Sequence, residues 1–106
     1  MDKIEKIIWT EDGINSFEDI IQYISIDSAY YASDFARKLL LSIEKLQVFP
    51  RLGRIVPEYN DPDIRELIHQ NYRIVYKISG KAVYIVLVIH GTRKLPKNHL
   101  NHPKIK

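Results

Sequence analysis

Asn71-Tyr72-Arg73-Ile74-Val75-Tyr76-Lys77-Ile78-Ser79-Gly80-Lys81-Ala82-Val83-Tyr84-Ile85-Val86-Leu87-Val88-Ile89-His90 reads as a β-hairpin, because two runs of β-branched and aromatic residues flank one turn. With Gly80 and Lys81 at its centre, glycine in the first position suits a type II′ turn, and Ser79 then faces Ala82. Strand alternation outward from that pair predicts two faces. One collects Tyr72, Ile74, Tyr76, Ile78, Val83, Ile85, Leu87 and Ile89, apolar enough for a core wall. The other collects Arg73, Val75, Lys77, Tyr84, Val86, Val88 and His90. An arginine and a histidine close together on a half-polar sheet surface can hold a phosphate and move a proton. Ordinary solvated sheet positions carry the same residue types.

Working outward, residues 3 to 9 read as a short strand, with Trp9 buried where the chain enters a helix. Thr10 is placed to cap that helix, and Glu11 and Asp12 complement the dipole in its first turn. Ile14, Phe17, Ile20, Ile21 and Ile24 recur at helical spacing, and the pattern ends near Ile26. Asp27 or Ser28 can cap a second helix whose stripe is Ala29, Ala32, Ala36, Leu39, Ile43 and Leu46, widened by Phe35 and Leu40. Pro50 stops it, since the residue before a proline is pushed out of the α region. So short a link implies an antiparallel helical hairpin packed on the apolar face of the sheet.

From Pro50 to Asp63 the residues Gly53, Pro57, Asn60, Asp61 and Pro62 read as a loop, and a loop of that length in a small domain is usually functional or ordered by a partner. Ile64 to Ile68 is a further strand with two possible registers. A two-residue turn puts Arg65 and Leu67 on the core face; an odd-length loop moves them to the face of Arg73. The predicted order is β-α-α-β-β-β, a two-layer α+β fold with the helical hairpin on a mostly antiparallel sheet.

With 106 residues, 45% hydrophobic and 27% charged, the chain is expected to form a single domain, 1–106, whose basic tail begins near residue 94. The net charge of +3 hides an asymmetry: residues 91 to 106 carry Arg93, Lys94, Lys97, Lys104 and Lys106 and no acid, while acids dominate the first third. Contacts with nucleic acid or an acidic protein should therefore centre on the tail, which can equally be a solvated terminus. Absence of cysteine excludes thiol chemistry, and without a signal peptide or membrane-length apolar run the expected home is cytoplasmic. His69, His90, His99 and His102 show no metal-ligand spacing, no glycine loop cradles a phosphate, and no serine sits in a nucleophile elbow, so no metal or cofactor is expected. What remains is a basic, histidine-bearing surface. It suits a metal-free ribonuclease or a surface that only binds.

Trp9-Thr10-Glu11, Leu46 through Pro50, Leu52-Gly53-Arg54-Ile55-Val56-Pro57-Glu58, Ile64-Arg65-Glu66-Leu67, Tyr72-Arg73-Ile74-Val75-Tyr76 and His90-Gly91-Thr92-Arg93, in this order and spacing around a helical hairpin, resemble the RelE/ParE superfamily of bacterial toxins from about Ile8 to Leu95. The resemblance implies a RelE-like fold, a type II toxin-antitoxin or plasmid stabilisation role in growth inhibition, and a cognate antitoxin that holds the toxin inactive. Two targets are implied within the superfamily. RelE-like members cut mRNA on the ribosome, for which Arg73 and Arg93 would serve the scissile phosphate, with His90 and His99 as the further candidates. ParE-like members bind and poison DNA gyrase without hydrolysing RNA. The Gly53-Arg54 loop and the His-Gly-x-Arg ending resemble the ParE side more, and no tyrosine follows Tyr84. Candidate contact residues are Arg54, Arg65, Arg73, Lys77, Arg93 and Lys94. Arg65 can instead pair with Glu66 or Glu58, Tyr72 and Tyr76 are core or antitoxin-facing positions, and a nucleic-acid-binding module unrelated to toxins is the third reading.

Overall fold

The computed structural model describes residues 3–95. His99 and the tail lysines Lys97, Lys104 and Lys106 lie outside the described residues. The elements are β1 (Lys6–Trp9), α1 (Glu11–Asp27), α2 (Ala29–Glu44), a short 3-10 turn (Lys45–Gln47), β2 (Arg54–Ile55), β3 (Ile64–His69), β4 (Tyr72–Ser79) and β5 (Ala82–His90). They form a two-layer α+β fold. The sheet runs β1-β5-β4-β3-β2, with β1 parallel to β5 and the other neighbours antiparallel. The predicted order holds, with one addition: the segment read as an uninterrupted loop contains β2, two residues paired with Arg65 and Glu66.

Local signals place the helices. Thr10 Oγ1 accepts from the Gly13 N–H at 3.0 Å and donates to the Ile85 carbonyl, so the cap of α1 is tied to β5. Ser28 does two jobs in one residue: its N–H closes α1 on the Ile24 carbonyl, and its Oγ accepts from the Tyr31 N–H to start α2. Toward the sheet α2 buries Ala32, Phe35, Leu39 and Ile43, with Leu46 in the following turn. Ala29 and Leu40, read as part of that stripe, are exposed. Trp9 is half-buried rather than buried, and packs on Phe17 with ring centroids 5.4 Å apart.

The hairpin departs from its predicted faces halfway along. Gly80 has φ +58° and Ser79 pairs with Ala82, as the type II′ turn requires. Pairing proceeds through Tyr76 with Ile85, but Val75 then pairs with Leu87, which leaves Val86 as an extra residue on β5. This β-bulge inverts the alternation beyond it. Leu87 and Ile89 therefore join the face of Arg73 and Val75, whereas Val88 and His90 pass to the face of Tyr72 and Ile74. Arg73 and His90, read as neighbours on one face, are on opposite faces. At the other hairpin the two-residue turn Gln70-Asn71 pairs His69 with Tyr72, which puts Arg65 and Leu67 on the helix-covered face and Glu66 beside Arg73.

Both faces of the sheet are covered. The main core joins Ile74, Tyr76, Ile78, Val83, Ile85 and Val88 to Phe35, Leu39, Ile43 and Leu46 of the helical layer. On the back, Val75 and Val86 pack with Val56 from the 50–63 segment, Ile64, and Leu95 from the end of the described chain. The back face therefore has an apolar floor, and its charges must pair among themselves.

Candidate functional site

Glu66 enters the back face by strand alternation from Ile64 and is 1% exposed. A buried carboxylate needs compensating donors. Arg73, 5% exposed, supplies one through Nε to Glu66 Oε1 at 2.5 Å, and Arg54 supplies another through Nε to Oε2 at 2.6 Å. The Arg54 side chain is otherwise 60% exposed. The remaining edge of the Arg73 guanidinium forms a fork on Glu58, with Nη1 and Nη2 each 2.8 Å from a carboxylate oxygen, and Nη1 also donates to the Arg93 carbonyl at 3.0 Å. Glu58 Oε2 accepts from the Leu95 N–H at 3.3 Å. Donation by Arg73 outweighs desolvation and holds the Glu58 carboxyl down to about 2, and the same pairing raises the guanidinium above its ordinary range.

The loop between α2 and β2 is fixed by a buried phenol. Tyr76 Oη donates to the Pro50 carbonyl at 2.7 Å and accepts from the Gly53 N–H at 2.9 Å, and its burial pushes the hydroxyl up. Tyr76 is thus a core residue. A Cβ on Gly53 would stand 2.5 Å from the Glu66 carbonyl oxygen, so only glycine lets this backbone lie against β3. Arg65 donates to the carbonyls of Pro62 at 2.8 Å and Gly53 at 2.9 Å. The pairing considered for it with Glu66 or Glu58 is replaced by this backbone brace, since those carboxylates face the other side of the sheet.

The remaining predicted residues divide between two open grooves and the back of β4. His90 is exposed, its ring 5.6 Å from Tyr72 and its Nδ1 2.9 Å from Thr92 Oγ1, at the end of an aromatic row that runs through Tyr72 and Phe35 to His69. Lys77 is half-buried on the back of β4. Arg93 and Lys94 are exposed and line an open groove with Ser16, Asp19 and Ile20 of α1 and with Ile89. Here β1 has ended and Ser16 Oγ accepts the Val88 N–H in its place. The structure thus brings Arg54, Arg73 and His90 to the lining of one open groove and sets Arg93 and Lys94 at a separate one. Glu58 and Glu66 organise the cluster. For Glu66 the signal was its alternation with Ile64 on a strand; for Glu58, in an irregular segment, no local signal exists.

The ParE toxin model, described as the toxin of the type II toxin-antitoxin system parDE, matches residues 7–95. No curated protein sequence matches the chain. Among solved structures the fold is similar to one titled chromosomal ParDE TA system from P. aeruginosa, with a TM-score of 0.67 and 16% identity over 83% of this chain and 96% of that one. The family match runs from β1 through the helical hairpin and the bulged sheet to Leu95, the residue seated on the back-face core, and on that span the chain belongs to the ParE toxin family of type II toxin-antitoxin systems.

Proposed function

We propose that this toxin acts by binding, with DNA gyrase as its target and the surface around Arg93 and Lys94 as its contact, and that it is not a ribosome-dependent nuclease built on Arg73. The observation that carries this reading is the state of Arg73. In a nuclease its guanidinium would have to meet a scissile phosphate, yet it is 5% exposed and donates to Glu66, Glu58 and the Arg93 carbonyl. Freeing it would take a donor from two carboxylates and leave the fully buried one, Glu66, with Arg54 alone, and breaking a buried pair costs about 3–5 kcal/mol. The bulge also turns His90 to the face opposite Arg73, although both residues line one groove at that end of the sheet. Arg93 and Lys94, by contrast, are exposed cations beside a groove and require no rearrangement to meet an acidic surface. Membership of a toxin-antitoxin family supplies the second partner, a cognate antitoxin that holds the toxin inactive. A toxin that acts on gyrase and is held by a cognate antitoxin works in the cytoplasm.

The deciding experiment uses purified toxin, separated from its antitoxin, in two assays. Gyrase supercoiling should fail or yield cleaved DNA, antitoxin should restore it, and mRNA on stalled ribosomes should stay intact. Site-specific cleavage of that mRNA, lost in Arg73→Ala while the fold is kept, would reverse the assignment.

A further inference from the structure

Residues 91–95 leave β5 and cross onto the back of the sheet, and two of their backbone groups are held by side chains from elsewhere. Arg73 Nη1 donates to the Arg93 carbonyl at 3.0 Å, and the Leu95 N–H donates to Glu58 Oε2 at 3.3 Å. These two holders are themselves locked together by the fork between guanidinium and carboxylate, at 2.8 Å on both arms. The Leu95 side chain is sunk beside Val56, Ile64, Val75 and Val86. A third hydrogen bond, from the Arg93 N–H to the His90 carbonyl at 3.0 Å, closes the turn. The segment is thus gripped by its main chain and one apolar anchor. None of the grip uses the side chains of Arg93 or Lys94, which stay exposed at the α1–β5 groove.

We propose that Glu58 and Arg73 are positioning residues of the toxin, a charged clamp that fixes the backbone of residues 93–95 and thereby presents Arg93 and Lys94 to the target. The inference deepens the binding reading above and rests on it for the target. Two features argue for a clamp over a general structural pair. The carboxylate of Glu58 belongs to the 50–63 segment, so it joins a loop to the C-terminal segment across the strand that carries Arg73. And the opposite end of Arg73 is anchored on Glu66, a fully buried group, so the guanidinium reaches Glu58 and Arg93 from a fixed base. A contact surface held in advance loses less freedom on binding than a loose one.

The test pairs a local readout with a functional one, in full-length toxin co-expressed with its antitoxin and then separated from it. Glu58→Gln keeps the shape and removes the charge; Glu58→Asp keeps the charge; the double variant Arg93→Ala/Lys94→Ala leaves the clamp intact. Amide hydrogen exchange by NMR should show Leu95 exchanging at least tenfold faster in Glu58→Gln, with Ile89 in β5 unchanged and Glu58→Asp partly restored. Gyrase inhibition should fall at least tenfold in Glu58→Gln and in the double variant, the latter with wild-type protection at Leu95. Unchanged Leu95 exchange in Glu58→Gln, or fast exchange with full inhibition, would overturn the clamp. Wild-type toxin without effect on gyrase would instead refute the target, and Leu95 exchange would still judge the grip.

Discussion

Tyr76 shows how one polar atom can organise a segment. Its ring fills the main core while its hydroxyl satisfies a carbonyl and an N–H of the loop that leads into β2, at 2.7 and 2.9 Å. Tyr76→Phe keeps the ring and strands the buried Gly53 N–H, an unsatisfied group that costs about 1–3 kcal/mol. We predict a loss of unfolding free energy of that size, read as a lowered urea midpoint at unchanged m-value, together with faster amide exchange at Gly53 and little change in β5. A midpoint within error of the wild type would mean that Gly53 finds another partner. The aromatic character of position 76 was legible as a core signal. That its hydroxyl holds residues more than twenty positions earlier was not, because nothing in a strand pattern says which loop lies over it.

At the scale of elements, the bulge at Val86 decides what β5 presents. Without it, Ile74 and Leu87 would share the helix-covered face, and Ile74→Asp and Leu87→Asp would be equally severe. With it, Ile74 is fully buried in the main core, whereas Leu87 is half-buried on the back beside Val75. Ile74→Asp should therefore abolish cooperative unfolding, since a buried unpaired carboxylate costs several kcal/mol against a total stability of about 5–15. Leu87→Asp should remain folded with a lowered melting temperature. Thermal melts followed by circular dichroism check both, and a Leu87→Asp protein that fails to fold would place that residue in the main core after all. Some element starts were readable: Thr10 caps through a bond to the residue three positions on, Ser28 was one of two candidates for the second cap, and Gly80 supplies the positive φ of its turn.

For the whole molecule, acid should act in two stages. Burial, aided by Lys38, lowers the His69 pKa below the ordinary 6.5, so the unfolded chain takes up the proton first and stability falls as the pH drops through that value. Its Nε2 is buried and unpartnered, which leaves the imidazolium with no acceptor there. Glu58 titrates lower: its carboxyl sits at about 2 in the fold against 4.5 ordinarily, so its contribution is complete above 4.5 and disappears between 4.5 and 2. Urea midpoints measured across pH 7.5 to 3 should therefore fall in two steps. His69→Phe, which keeps a ring against Phe35, should erase the first step alone, and Glu58→Gln should flatten the second. A first step that survives in His69→Phe would assign it to another group. Among the described residues no helix is long and apolar enough to cross a membrane.

The sequence by itself determined the order of elements apart from β2, the Thr10 cap, the hairpin turn and the α+β class, and it carried the family resemblance that the match over residues 7–95 confirms. Each of these depends on neighbours within a few residues, where the dihedral preferences of glycine and proline, capping hydrogen bonds and hydrophobic period act directly. Only the tertiary structure decided the inverted half of β5, the pairing of Arg73 with Glu58 and Glu66, and the closing of the back face by Val56 and Leu95. A one-residue bulge costs the chain little locally yet exchanges every face beyond it. Which carboxylates meet a given arginine is likewise set by strand register and by the apolar anchors that bring distant segments together, and local rules leave both open.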